Sequence, residues 1–347
     1  MPSELLYLDH AATAPMLPDA RSAWLEGAAL WANPSSPHRQ GRAARAALED
    51  ARERVKVALG WEGEVVFTSG ASEAVTMALS RCVLPVGAVS AVEHDAVLRL
   101  CDGVPRLGVD AEGRIDSTQA PSPALVAVQH VNNETGVVQE VGPVAQAVRE
   151  AGGLLLSDCA QSAAKLPLPD ADLIAISAHK FGGPVGIGAL LVRDWAMLKA
   201  SGGQERGYRA GTENLPGVLS MVAALEASRD WLRRSADLRA QLEQGLIAGG
   251  ASVIAQGAHR VATIGAYRMP GVASAVQLIR FDAQGIAVSA GSACSSGSLK
   301  ASHVLTAMGV DGAGEVIRVS VGRETNAADI DRFVSAWTDM SQRRAAA

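Results

Sequence analysis

Between about Glu64 and Val192, short aliphatic runs alternate with helix-like segments, and no other feature limits the possible folds as much. Runs at Val65–Thr68, Ala88–Val92, Ala124–Gln129, Leu154–Ser157, Leu173–Ser177 and Gly188–Val192 read as strands. Helical patterns such as Ser72–Arg81 and Val141–Ala151 fall between several of them. Alternation of this kind predicts an α/β fold with a largely parallel sheet covered by helices on both faces. Hydrophobic residues make up 48% of the chain but aromatics only 4%, so Ala, Val and Leu must fill the core.

The length of 347 residues suits two domains or one large one. No internal repeat or low-complexity linker divides the chain. From Glu213 to about Leu246 the pattern is helical and amphipathic, as expected of a connector. A strand (Val261–Tyr267), a helix (Val272–Phe281), a strand (Ile286–Ser289), a helix (Ser302–Met308), a strand (Val316–Val321) and a last helix from Asn326 follow. They predict a small α+β unit, with the first residues of the chain packing back onto it. The expected division is a large unit of 15–246 and a smaller one of 1–14 and 247–347, ending in a frayed tail from Arg343.

Acidic residues outnumber basic ones, 36 to 31, which argues against a nucleic-acid binder held by phosphate contacts. No apolar run approaches a membrane span, and the start, MPSELLYLDH, lacks a basic-then-apolar export signal. Cys82, Cys101, Cys159 and Cys294 show no regular spacing and read as reduced thiols. The expectation is a cytoplasmic protein that binds neither nucleic acid nor membrane directly.

Several strand ends carry polar residues, and open α/β sheets bind ligands beyond the carboxyl ends of their strands. Thr68-Ser69-Gly70 runs into a helix start at Ala71-Ser72-Glu73, which is either an ordinary helix cap or an anion cradle. Lys180 directly follows the apolar strand 173–177. It either leaves the strand end for water or is desolvated and suited to a Schiff base. Asp158 ends another apolar strand and needs a donor or cation beside it, a helix cap being the rival reading. His94 follows a third strand and is suited to stacking and proton transfer. Arg318 interrupts an apolar strand, so it pairs with either an internal acid or a substrate carboxylate. Asn33 and His38 form a polar turn. Cys294 lies in Ser289–Ser298, a Gly/Ser/Ala-rich stretch with little to bury a thiol, which suits attack and carriage of a product. Cys82 and Cys101 sit in apolar surroundings and read as structural.

Taken in order along the chain, these stretches resemble the cysteine desulfurases, pyridoxal-phosphate enzymes of the class V aminotransferase superfamily. The matching segments are Tyr7–Thr13, Asn33–Ser36, Thr68–Glu73, Glu93-His94, Val131–Gly136, Asp158–Gln161, Ser177–Lys180, Arg209–Asn214, the Cys294 stretch and Arg318. The resemblance implies fold-type I, with a mostly parallel seven-stranded sheet in the large domain and a smaller α+β domain. It implies that Lys180 holds pyridoxal 5'-phosphate and that Asp158 pairs with its pyridine nitrogen. Gln161 would contact the phenolic oxygen, Asn133 would lie beside the ring, and His94 would stack on it and move protons. Ala71, Ser72, Ser177 and His179 would hold the phosphate.

Thr212 would reach the phosphate of a neighbouring subunit, giving a homodimer with shared active sites. Arg318, with Asn33, would hold the carboxylate of L-cysteine. Cys294 would take the sulfur as a persulfide, leaving L-alanine, and pass it to an acceptor such as an iron–sulfur scaffold. The Ser/Gly-rich stretch resembles the long loop of the group I branch. No metal is implied for catalysis, although Cys294 could transiently ligate an iron–sulfur cluster. A selenocysteine lyase or aminotransferase of the same superfamily would keep Lys180 and Asp158 without needing Cys294. Two departures stand out: Ser72 replaces a common threonine, and Cys159 replaces a usual alanine and could place an oxidation-sensitive thiol near the cofactor.

Overall fold

A computed structural model describes residues 5–116, 123–291 and 302–345. Cys294 lies outside the described residues. The largest sheet contains β2 (Glu64–Thr68), β3 (Val86–Ser90), β4 (Arg106–Leu107), β5 (Leu125–Ala127), β6 (Leu154–Asp158), β7 (Leu173–Ser177) and β8 (Gly188–Val192). Their order is β2-β8-β7-β6-β5-β3-β4, and only β8 runs against the rest. Strand β7 is buried at every position, as is β8. Strands covered on both faces need no polar alternation, which is why they read as continuous apolar runs.

Helices flank the sheet on both sides. On one face α1 (Pro18–Ala29), α2 (Arg39–Leu59), α5 (Val141–Glu150) and α6 (Leu215–Glu226) pack over Val65, Phe67, Val126, Leu155, Ile174 and Leu191. On the other, α3 (Ala71–Arg81) and the short α4 (Asp95–Leu98) cover Val66, Leu125, Leu156, Leu173 and Leu190. In α2 the buried positions Ala44, Leu48, Ala51 and Val55 recur at helical spacing. His38 Nδ1 caps its start by accepting from Gly41 N, and Gly60 ends it in the left-handed conformation.

Helix α7 (Trp231–Ala248) leads into a second unit of β9 (Ser252–Val253), β10 (Ile264–Arg268), α8 (Ser274–Asp282), β11 (Ile286–Ala287), α9 (His303–Ala307), β12 (Val316–Ser320) and α10 (Ala327–Ala345). β10 lies between β12 and β9, antiparallel to both. Near the N-terminus, β1 (Leu6–Tyr7) pairs in parallel with β11, and Ser320 N donates to Leu8 O. Leu8, Tyr267, Phe281, Ile317, Phe333 and Trp337 form the core here.

Some sequence expectations move. The helical stretch from Glu213 to Leu246 is made of two helices, broken at Ala227, where the backbone is extended. Ser228 and Asp230 satisfy one another across the break. The first of the two, α6, buries most of its surface against α1 and α2 and so is not amphipathic. Strand β3 begins and ends two residues early, because the Ser90 hydroxyl accepts from Val92 N and turns the chain out of the sheet. β10 starts at Ile264 rather than Val261, whose N–H is taken by Gly136 O.

Candidate active site

A cleft of about 1150 Å³, counting its open mouth, lies at the carboxyl ends of β2, β3, β5, β6 and β7. Its floor is the turn from β2 into α3. Gly70 stands there at φ +148, a conformation that favours glycine, and no side chain caps the helix. The first N–H groups of α3 therefore point outward with the positive end of the helix dipole. Ala71, Ser72, Ser177 and His179 surround this end of the cleft. A Cβ on Gly70 would lie 3.5 Å from Ser177 Oγ, so the two strand ends meet closely.

Lys180 ends a single 3₁₀ turn, Ala178–Lys180, that leaves β7. Its ammonium donates to Ala11 O at 2.7 Å and Ala12 O at 2.8 Å, so the N-terminal segment closes one wall. Asp158, the last residue of β6, is 8% exposed and accepts from Ala160 N at 2.8 Å. Burial pushes its pKa up, while the Ala160 N–H, His94 and Lys180 pull it down. His94 Nδ1 accepts from Ala96 N at 3.1 Å, so a neutral ring carries its proton on Nε2. Burial holds His94 below the ordinary histidine pKa, with Asp158 opposing and Lys180 reinforcing. His179, 3.2 Å from Thr13 Oγ1, is held down to about 4 by burial and then by Lys180.

Asn133 and Gln161 also line the cleft. The Gln161 amide nitrogen donates to Ala11 O, and its oxygen has no partner among the described residues. Arg318 stands in the middle of β12 at 1% exposure. The internal partner is Asp9, which pairs with Nη2 at 2.7 Å, while Nη1 donates to Asn133 O at 2.9 Å and the side chain also lines the cleft. Its Nε has no partner among the described residues. Asn33 and Thr212 are exposed and do not line this cleft. The Asn33 side chain is turned back to accept from Ser35 N.

Cys159 departs from expectation. It is fully buried, burial pushes its thiol up to about 12, and it stands 3.7 Å from Ser157 Oγ, so it is no accessible thiol beside the cofactor site. Cys82 and Cys101 are buried and unbridged. Other groups escaped the sequence reading. Glu93 is wholly buried, and burial pushes its carboxyl well above the usual range. Arg52 and Glu205 form a buried pair at 2.8 Å beneath β2. The signal for Arg52 was present: it interrupts the apolar face of α2 as Arg318 interrupts β12.

The Aminotransferase class-V family description matches residues 6–333. The chain belongs to the class V aminotransferase family. Among relatives in this family, a cysteine desulfurase from Cereibacter sphaeroides is 37% identical over 364 residues, spanning 95% of this chain and 94% of the relative. A cysteine desulfurase from Bradyrhizobium diazoefficiens is 38% identical, spanning 97% and 95%. The solved structure of a NifS-like protein from Rickettsia africae superposes with a TM-score of 0.86 at 26% identity, over 98% of this chain and all of the other. SspA in complex with cysteine superposes with a TM-score of 0.78 at 29% identity, over 91% and 98%.

Proposed function

We propose that this class V protein is a pyridoxal-phosphate-dependent cysteine desulfurase, converting L-cysteine to L-alanine with the sulfur carried on Cys294. The observation that carries this reading is the meeting of Lys180, Asp158, His94 and the uncapped start of α3 in one cleft. Pyridoxal phosphate fits that donor set. The N–H groups of α3, with Ser72, Ser177 and His179, suit the phosphate. The buried Asp158 carboxylate suits a ring N–H at the opposite end, and the unpartnered Gln161 amide oxygen marks a polar position left to a ligand. Asn133 and His94 would flank the ring, and Lys180 would hold the aldehyde.

When bound, the cofactor supplies the electron sink for breaking the carbon–sulfur bond. The remaining roles belong to this chain. His94 holds a transferable proton at Nε2, and the Asp158 carboxyl is the acceptor offered to the ring nitrogen. Arg318 uses two of its five N–H groups on Asp9 and Asn133, leaving donors for the substrate carboxylate. The Cys294 thiol takes the sulfur atom: thiol and L-cysteine become persulfide and L-alanine, with no net oxidant or reductant.

Thr212 stands outside the cleft of its own chain, and Trp24, Leu25 and Trp31 are exposed on and just after α1. Both features support a homodimer in which Thr212 serves the partner's cleft. We assign residues 15–246 to the cofactor-binding domain and 1–14 with 247–347 to the smaller one. Among the described residues no helix is long and apolar enough to cross a membrane and the cysteines are unbridged, which supports work in the cytoplasm. A thiol-bearing or iron–sulfur scaffold protein is the acceptor.

Mass spectrometry after L-cysteine addition tests the reading. One extra sulfur is expected on the Cys294 peptide, and equal alanine formation by wild type and Cys294→Ala would refute it in favour of a lyase or aminotransferase without a carrier thiol.

A further inference from the structure

The two residues that bracket 292–301, the segment containing Cys294, converge on one carboxylate. Ser302 Oγ donates to Glu134 Oε2 at 2.6 Å. From the other side, Gly291 packs so closely against the same oxygen that a Cβ on it would have no room. Glu134 is 4% exposed and Ser302 5%. The Ser302 hydroxyl also accepts from Leu305 N at 3.1 Å and caps α9.

The backbone of Glu134 is itself held firmly. Asn132 Oδ1 accepts from Glu134 N and Thr135 N, both at 2.9 Å, and from Thr135 Oγ1 at 3.1 Å. Asn132 Nδ2 donates to Val92 O, two residues before His94. Arg318 grips the neighbouring Asn133 O, and Arg318 also exchanges backbone hydrogen bonds with Ser289, two residues before Gly291. One carboxylate thus bonds Ser302 and packs closely against Gly291, beside walls that carry His94, Asn133 and Arg318. Glu134 itself does not line the cleft.

We propose that Glu134 is a positioning residue for sulfur transfer: it fastens Gly291 and Ser302 beside the cleft so that Cys294 stays within reach of bound L-cysteine. The proposal rests on Cys294 being the sulfur carrier. Gly291 stands three residues before Cys294 in the sequence and Ser302 eight after it, so both bracket the thiol closely. Releasing either end enlarges the space the thiol explores and lowers its effective concentration at the substrate. Because Glu134 lies outside the cleft lining, its loss acts on transfer and leaves cofactor and substrate binding intact.

The test uses cofactor-loaded Glu134→Ala, Glu134→Gln, Ser302→Ala and Cys294→Ala, with alanine formation and the cofactor absorbance followed on adding L-cysteine. Glu134→Ala is expected to lose about tenfold or more in kcat, with KM and the absorbance change held within about twofold. Glu134→Gln, whose amide oxygen can still accept from Ser302, recovers most of that loss. Ser302→Ala removes the same hydrogen bond from the other side and serves where Glu134→Ala does not fold.

Wild-type kcat in both Glu134→Ala and Ser302→Ala overturns the proposal. So does a loss of cofactor and substrate affinity that accompanies the fall in kcat and that Glu134→Gln does not rescue. Cys294→Ala is expected to form no alanine. Wild-type activity in that variant would refute the carrier assignment, whereas its inactivity beside fully active Glu134→Ala and Ser302→Ala overturns only the positioning role.

Discussion

Replacing Arg52 by alanine should destabilise the protein severely and loosen the phosphate end of the cleft. Arg52 is 2% exposed, and its guanidinium meets the Glu205 carboxylate at 2.8 and 3.1 Å. It also donates to Val65 O and lies 4.8 Å from the Phe67 ring centre. Glu205 is almost as buried, and one of its oxygens accepts from Phe67 N. Removing the cation strands this carboxylate in an apolar layer, which costs about 3–5 kcal/mol. Both ends of the pair also touch the site. β2 carries Val65 and Phe67 and leads into Ser69-Gly70, and four residues after Glu205 the chain pairs Arg209 with Glu73 of α3 at 2.8 Å.

Urea unfolding of wild type, Arg52→Ala and Arg52→Ala/Glu205→Gln separates stranded charge from lost volume. The added glutamine removes the charge while keeping an acceptor for Phe67 N–H, so the double variant should regain about 1–3 kcal/mol over Arg52→Ala. Cofactor retention should follow the same order. A loss below about 1 kcal/mol in Arg52→Ala, or a double variant less stable than the single, would refute the argument from stranded charge.

Asp158→Asn should still bind the cofactor, since Lys180 and the phosphate cradle are untouched. It should lose about a hundredfold or more in turnover, because a neutral amide cannot stabilise a positive ring nitrogen, and absorbance with steady-state alanine formation reads both effects. Acid should weaken the fold through His10, His130 and His179, which burial holds to about 4. Unfolded histidines take up protons near 6.5, so this stability is complete above that pH and drains away as pH falls toward 4; a urea midpoint that stays flat over this window would contradict it. The Lys165 ammonium has no hydrogen-bond or ion-pair partner among the described residues, and burial, reinforced by Lys180, lowers its pKa to about 7. Its penalty is absent above about 10.5 and full below 7, so Lys165→Met should raise the melting temperature more at pH 6 than at pH 10.

How far a residue could be read from sequence follows from where its partners lie. β7 and β8 were legible because burial on both faces leaves an unbroken apolar run, whereas the two-residue strands β1, β4 and β9 are too short to carry any period. Lys180 and Asp158 were legible as cleft-lining positions because each lies at the carboxyl end of an apolar strand, where open α/β sheets bind ligands. Their counterparts were hidden. The carbonyls of Ala11 and Ala12 that receive the Lys180 ammonium have no side-chain signature at all.

Arg52 and Glu205 are 153 residues apart, and Glu134 and Ser302 are 168 apart, so each looks like a lone polar residue until the fold joins them. Arg318 shows the same limit from the other side. An internal ion pair and a ligand contact looked like competing readings, but a guanidinium has donors enough for Asp9, Asn133 and a carboxylate in the cleft. Sequence can therefore name the charged group that must be paired. Counting its remaining donors requires the fold, and those remaining donors are what the substrate would meet.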